Sequence, residues 1–184
     1  MPRILLLPFV LACAATAAAG CRETEQAATG AQSAVQAQGT ETLSTTDATF
    51  INTVGAGGIA EVKFAQLAQT KAVREDVRTF AAQMVTDHSK ANRTLESIAR
   101  RKGMTPPSDM DATHQALYQR LSEMNGPAFD TAYMQAQVDD HAATVTAFQD
   151  ESQNGTDIDV RGFAQQNLAV IQHHLEMAHR IAGQ

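Results

Sequence analysis

From Asp47 to the end of the chain, apolar and small residues return at alternating steps of three and four, and they do so in four long segments. That period is helical, and its persistence over about seven turns per segment leaves little room for any architecture other than packed helices. The first seam is Phe50, Val54, Gly57, Glu61, Phe64, Ala68 and Lys71. The second is Val77, Phe80, Met84, His88, Ala91, Leu95 and Ile98; the third is Phe129, Tyr133, Ala136, His141, Thr144 and Phe148; the fourth is Phe163, Val170, His174, Ala178 and Ile181. With 43% hydrophobic residues, only 5% aromatic ones and no Trp, the composition suits helices better than sheets.

Punctuation between the seams sets the boundaries. Asp47 is the expected first N-cap, and a break falls near Ala72. The second helix stops at Arg100-Arg101-Lys102-Gly103, with Pro106-Pro107 beyond it. Ser108, Asp109 and Asp111 open a short helix carrying Leu117 and Leu121, which Asn125-Gly126 closes. Pro127 starts the third long helix, Asn154-Gly155 ends it, and Asp157 or Asp159 caps the fourth. The expected fold is all-α: a four-helix bundle with a short crossover helix between the second and third long helices. A connection as long as 103–125 can run the length of a bundle, as in ferritin-like folds, and leaves open whether the second and third long helices are parallel. Gly55, Gly57 and Gly58 each cost a helix up to about 1 kcal/mol, which implies either a close backbone approach there or a bent, frayed first half.

The first twenty residues stand apart. Arg3 is followed by an apolar run from Ile4 to Ala12 and then small residues up to Ala18-Ala19-Gly20-Cys21, the pattern of an export signal. The run is too short to span a bilayer, which takes about 20 apolar residues. Cys21 is the candidate lipidation site, with ordinary cleavage near Ala19 as the alternative. Residues 21–46 are polar and small, unable to offset the entropy of ordering, and read as a tether to a globular part at 47–184. Loss of residues 1–20 removes Arg3 and takes the formal charge from -6 to -7, which disfavours nucleic acid as a partner. The expected address is the periplasm or outer membrane. The expected partners are the membrane, through an N-terminal lipid anchor, and an envelope protein.

Near its middle each seam carries a polar residue where an apolar one is the default: Glu61, His88, His141 and His174. At 1.5 Å per residue they lie about 15 to about 24 Å from a common end of a bundle about 42 Å long, in either topology. They form a mid-bundle layer. The tetrad Val85-Thr86-Asp87-His88 also returns as Val138-Asp139-Asp140-His141, so two of these histidines have an aspartate beside them. Three imidazoles and a carboxylate suit Zn, Cu or Fe, with Asp87 and Asp140 turned by about 100° to accept a hydrogen bond from a neighbouring histidine. Met84 and Met177 leave room for a softer copper-type site, although Met in a seam is more often core. A His–Asp layer that only fixes helix packing is the competing reading, and the one the sequence favours. No cofactor is assured; a transition metal ion is the one this layer would take.

The motifs also carry a resemblance. Glu61-Val62-Lys63-Phe64-Ala65-Gln66-Leu67-Ala68, then Phe80-Ala81-Ala82-Gln83-Met84-Val85-Thr86-Asp87-His88 with Ala91-Asn92 and Leu95, are similar to a bacterial family described as predicted outer membrane protein. Phe129-Asp130, Tyr133, Asp140-His141, Phe148 and His174-Leu175 with Ala178 follow in the same order. The resemblance covers roughly residues 47–182 and implies a ferritin-like fold, export and no settled biochemical activity. Gln166-Asn167-Leu168-Ala169 stands where that family often has Leu-Pro before the second half of the last helix, which leaves a kink there without its proline.

Several chemistries lack their parts. A ferritin-type di-iron centre needs two Glu-x-x-His motifs; this chain has one, Glu176 to His179, near its end. Asp111 and His114 read as a capping acid and a solvated histidine. There is no Gly-x-Ser-x-Gly, no thiol once Cys21 is lipidated, and no phosphate loop after a strand. Arg100-Arg101-Lys102 could take a phosphate but more simply complements a helix end. The expectation is an envelope protein with a structural or partner-binding role and no catalytic activity, with metal binding as the alternative.

Overall fold

The computed structural model describes residues 43–183, and the signal, Cys21 and all but the end of the tether lie outside them. Five helices follow one another: α1 (Thr45–Lys71), α2 (Glu75–Arg101), α3 (Ala112–Glu123), α4 (Gly126–Asn154) and α5 (Ile158–Ala182). Four are long and one is short, and no strand occurs among the described residues. None of these helices is long and apolar enough to cross a membrane.

The helix ends follow local chemistry, with two shifts from expectation. The cap of α1 is Ser44 rather than Asp47. Ser44 accepts from the Asp47 N–H at 3.1 Å while the Asp47 carboxylate accepts back from Ser44, a capping box that starts the helix inside the expected tether. Along α5 the buried seam runs through Ile171, and Val170 is exposed, because at 3.6 residues per turn a step of seven after Phe163 falls short of the buried stripe where a step of eight meets it. Asp157 caps α5 by accepting from the N–H groups of Asp159 and Val160. Pro127 lies in the first turn of α4. Helix α5 runs unbroken through Gln166–Ala169.

Polar contacts at the two ends fix the topology. At one end, the carboxylate of Asp47 on α1 accepts from the Thr156 and Asp157 N–H groups in the α4–α5 turn. Lys102, just past α2, pairs there with Asp157 at 2.7 Å and Asp159 at 3.0 Å. At the other end, Asp130 on α4 accepts from Val73 N–H and Arg74 N–H in the α1–α2 turn, and the Arg74 guanidinium reaches the Ile181 carbonyl on α5. The two hairpin turns therefore sit at opposite ends, and α2 and α4 run parallel.

Parallel helices in consecutive hairpins need a connection that returns the whole length of the bundle, and segment 103–125 supplies it along the outer face of α1. Lys63 bonds Asp109 at 2.7 Å, and Lys71 reaches the Met124 carbonyl. Gly55 makes way for this return and Gly58 for α2, in both cases for a side chain rather than a second backbone. A Cβ at Gly55 would lie 3.2 Å from the Pro107 ring, and one at Gly58 would overlap the Asn92 amide.

The core is divided. One apolar cluster surrounds Phe64, Phe80, Phe129 and Tyr133 near the α1–α2 turn and takes in Met84 and Met177. The other surrounds Ile51, Leu95, Phe148 and Phe163 near the α4–α5 turn. Between them lie Glu61, His88, Gln137, His141 and His174, none more than 6% exposed.

Candidate metal centre

Each histidine of the middle layer comes from a different helix: His88 from α2, His141 from α4 and His174 from α5. Their ring centroids are 5.4 to 5.6 Å apart, and one ring nitrogen of each lies within 4.8 Å of the others. The depth argument places them together and the fold keeps them there, because each stands on the inward stripe of its helix.

Hydrogen bonds fix one nitrogen of His141 and one of His174. His141 donates from Nδ1 to the Gln137 carbonyl at 3.0 Å. His174 donates from Nε2 to the Asp87 carboxylate at 2.9 Å. Each ring retains one buried nitrogen with no hydrogen-bond partner: Nε2 of His88, Nε2 of His141 and Nδ1 of His174. A proton held on the far nitrogen by a carbonyl or carboxylate leaves the near lone pair available and raises its basicity.

The electrostatics keep the rings neutral. Burial holds His88 well below the usual histidine value, and the neighbouring His141 and His174 add to the effect. His141 is pushed down to about 3, chiefly by burial and then by His174, against the opposing pull of the Gln137 carbonyl. His174 is also lowered by burial, in spite of its bond to Asp87. Neutral imidazole is the form that binds metal.

A tetrahedral ion with bonds of about 2.0–2.1 Å needs nitrogens about 3.3–3.4 Å apart, so from a spacing of up to 4.8 Å the rings must close by at most about 1.5 Å. Side-chain rotation supplies shifts of that size. The donor set is three nitrogens, which suits a borderline divalent ion such as Zn(II), Cu(II) or Fe(II) better than a soft one.

The carboxylates divide in their placement. Asp87 backs a histidine, on the neighbouring helix. Asp140 does not: it faces His114 of α3, 3.7 Å from Nε2, while His114 donates its Nδ1 to the capping Asp111 at 2.6 Å. The reason is topological, since α2 packs against α5 whereas this face of α4 turns toward α1 and the crossover. His114 is accordingly half-buried rather than solvated.

Glu61 is outside the three-nitrogen group. It lies 3.9 Å from His141 Nδ1, on the hydrogen-bonded side of that ring, and accepts from Gln137 Nε2 at 2.8 Å. Burial, then the charge of Asp140, pushes its carboxyl up to about 8. Gln137, fully buried, escaped the sequence reading. Its place one turn before His141 on the inward stripe was the signal available.

The cationic cluster after α2 is structural. Arg100 pairs with Glu96, and Lys102 bridges Asp157 and Asp159, so these charges tie the end of α2 to the start of α5.

Comparisons with known proteins agree with this architecture. The structure is similar to the crystal structure of a DUF305 fragment from Deinococcus radiodurans, with a TM-score of 0.69 and 13% identity, over 78% of this chain and 99% of that one. It is also similar to a conserved hypothetical protein from Mycobacterium tuberculosis, with a TM-score of 0.59 and 16% identity, over 75% and 91% of the two chains. At such identities the likeness speaks for the helical fold alone. No curated protein matches the chain. The model of a domain of unknown function, DUF4142, matches residues 31–181, most of the chain, and the protein belongs to that family.

Proposed function

We propose that this is a metal-binding protein of the cell envelope, in which His88, His141 and His174 hold one borderline divalent transition-metal ion. One observation carries the reading: three neutral, buried imidazoles converge with a nitrogen apiece left unbonded. A layer built only to fix packing should satisfy its buried polar atoms, each of which costs about 1–3 kcal/mol when left alone. Here three buried imidazoles each keep a nitrogen without a hydrogen bond in one layer, a set that a bound ion would complete.

The remaining parts of the proposal come from the sequence. Residues 1–20 direct export, Cys21 carries the lipid, and the polar stretch after it lets the bundle stand off from the membrane. Catalysis is not included, because no nucleophile or second Glu-x-x-His accompanies the layer.

Elemental analysis of protein purified without chelator tests the metal. Close to one equivalent of transition metal is expected, falling below a tenth in His88→Ala/His141→Ala. Metal absent from the parent, together with no thermal shift on adding Zn or Cu, would sink the idea and leave a packing layer. Mass spectrometry of the membrane fraction tests the anchor; an unmodified Cys21 at an accessible N-terminus counts against it.

A further inference from the structure

Beside the histidine layer lies a cavity of ≈160 Å³ between α1, α2, α4 and α5, overhung by His114 of the crossover. Apolar walls make up most of it, among them Val54, Leu95, Phe148 and Ile171. An apolar protein cavity of about 150 Å³ accommodates a molecule the size of benzene, so this one is roomy enough for a six-membered ring.

Its polar wall sets two acids among imidazoles and amides, those of His88, His114, Asn92 and Asn167. Glu61 and Asp140 both line it, and no lysine or arginine does among the described residues. The buried Oδ2 of Asp140 has no hydrogen-bond partner. His114, the nearest candidate cation, donates its Nδ1 to Asp111 and stands 3.7 Å from Asp140, beyond hydrogen-bond range. Two acids, with the imidazoles of His88 and His114 as the basic side chains among the described lining residues, are set against an apolar chamber and form a complement to a molecule with an apolar body and a cationic head.

The geometry points to this cavity as a binding site for a small organic amine with a body about the size of a six-membered ring, its ammonium group held between Asp140 and Glu61. Charge-assisted hydrogen bonds to carboxylates are roughly twice as strong as neutral ones, and they discriminate an amine from an alcohol of the same shape. Gly57 lines the cavity beneath the crossover, where a Cβ would lie 4.0 Å from His114 Cε1. Nothing in this requires an ion at the histidines.

The test uses the full chain treated with chelator, so that no metal takes part. Benzylamine and benzyl alcohol are titrated by calorimetry into the parent, Asp140→Asn, Glu61→Gln and Ala147→Leu. Benzylamine is expected to bind at least about tenfold more tightly than the alcohol, an advantage reduced in Asp140→Asn and Glu61→Gln. Ala147→Leu, which fills part of the cavity without touching its acids, should weaken both ligands. Equal affinity for amine and alcohol, an amine advantage that survives in both acid variants, or no benzylamine binding at about 10 mM overturns the proposal. Circular dichroism of each variant separates loss of binding from loss of fold. Because the protein is metal-free throughout, a failure here leaves the histidine reading untouched, and a failure of metal binding leaves this one standing.

Discussion

The ends of the bundle and its middle both bury polar side chains, but Asp47 and Asp130 at the ends are treated in the opposite way to the three histidines of the middle, with Glu151 a buried exception beside Asp47. At one end Asp47 accepts from Ser44, from the Thr156 hydroxyl and from the backbone of Thr156 and Asp157. Burial raises its affinity for a proton, yet the hydrogen bonds from Ser44 and Thr156 outweigh that and hold the carboxyl far below its usual range. At the other end Asp130 takes the N–H groups that open α2. In the middle, three adjoining imidazoles each keep a buried nitrogen without a hydrogen bond. A buried polar group saturated by backbone donors is there to close a turn. One left open beside its equals is there for something else, and the variants below separate the two cases.

The largest effect belongs to an end. Asp130→Ala removes the acceptor for Val73 and Arg74 and should cost about 3 kcal/mol in chemical denaturation, because charged hydrogen bonds contribute about 1.5–3 kcal/mol and backbone N–H groups are left unpaired. A cost under about 1 kcal/mol would show that the ends are no more tightly built than the middle.

The second effect is conditional. With free Zn at a hundred times its dissociation constant, the parent should gain about 2.7 kcal/mol. His88→Leu should lose most of that gain while changing metal-free stability by no more than about 1 kcal/mol, since the open Nε2 has no bond to lose. A large destabilisation of the metal-free variant, as at Asp130, would make the layer a packing device.

The third is a pH dependence. All three rings have folded values below the usual 6.5, so as pH falls the unfolded chain takes up protons that the folded one refuses. Their contribution is whole above pH 6.5 and is lost as pH falls toward about 3 at His141. For His141 alone the loss by pH 5 is about 2 kcal/mol, and His141→Leu should flatten the thermal melts between pH 6.5 and 5 accordingly.

The smallest effect returns to an end. Glu151, buried beside Asp47, is raised from 4.5 to about 7 by burial and then by that neighbour. The folded protein keeps a proton the unfolded chain has already lost, so stability declines from pH 4.5 to about 7 and is level above. Glu151→Gln should abolish the decline and exceed the parent above pH 7 by about 1 kcal/mol, allowing for solvent screening. Identical pH profiles for the two proteins would remove Glu151 from the account of that end.

Much of the site was legible because helices are regular. Residues at known depths on known seams must meet if the helices pack side by side, and His88, His141 and His174 do. Regularity also set the limit: Asp87 and Asp140 occupy equivalent positions beside their histidines, yet one supports His174 and the other faces the crossover. What flanks a helix on its second face depends on the order of helices around the bundle, and periodicity along one chain carries no term for that. Gln137 was missed for a related reason, since a glutamine on the inward stripe reads as a breach of pattern until Glu61 is found opposite it.

The sequence by itself determined the four long helices, their boundaries to within a few residues and the polar layer at mid-depth, because hydrophobic period and capping residues act within a few turns of one helix. Only the tertiary structure decided that α2 and α4 run parallel, that the return segment fills the glycine gap in α1, and which histidine nitrogens remain open. Those outcomes are set by contacts between residues far apart in the chain, such as Asp47 with Thr156 and Asp130 with Val73, which exist only once the helices have packed.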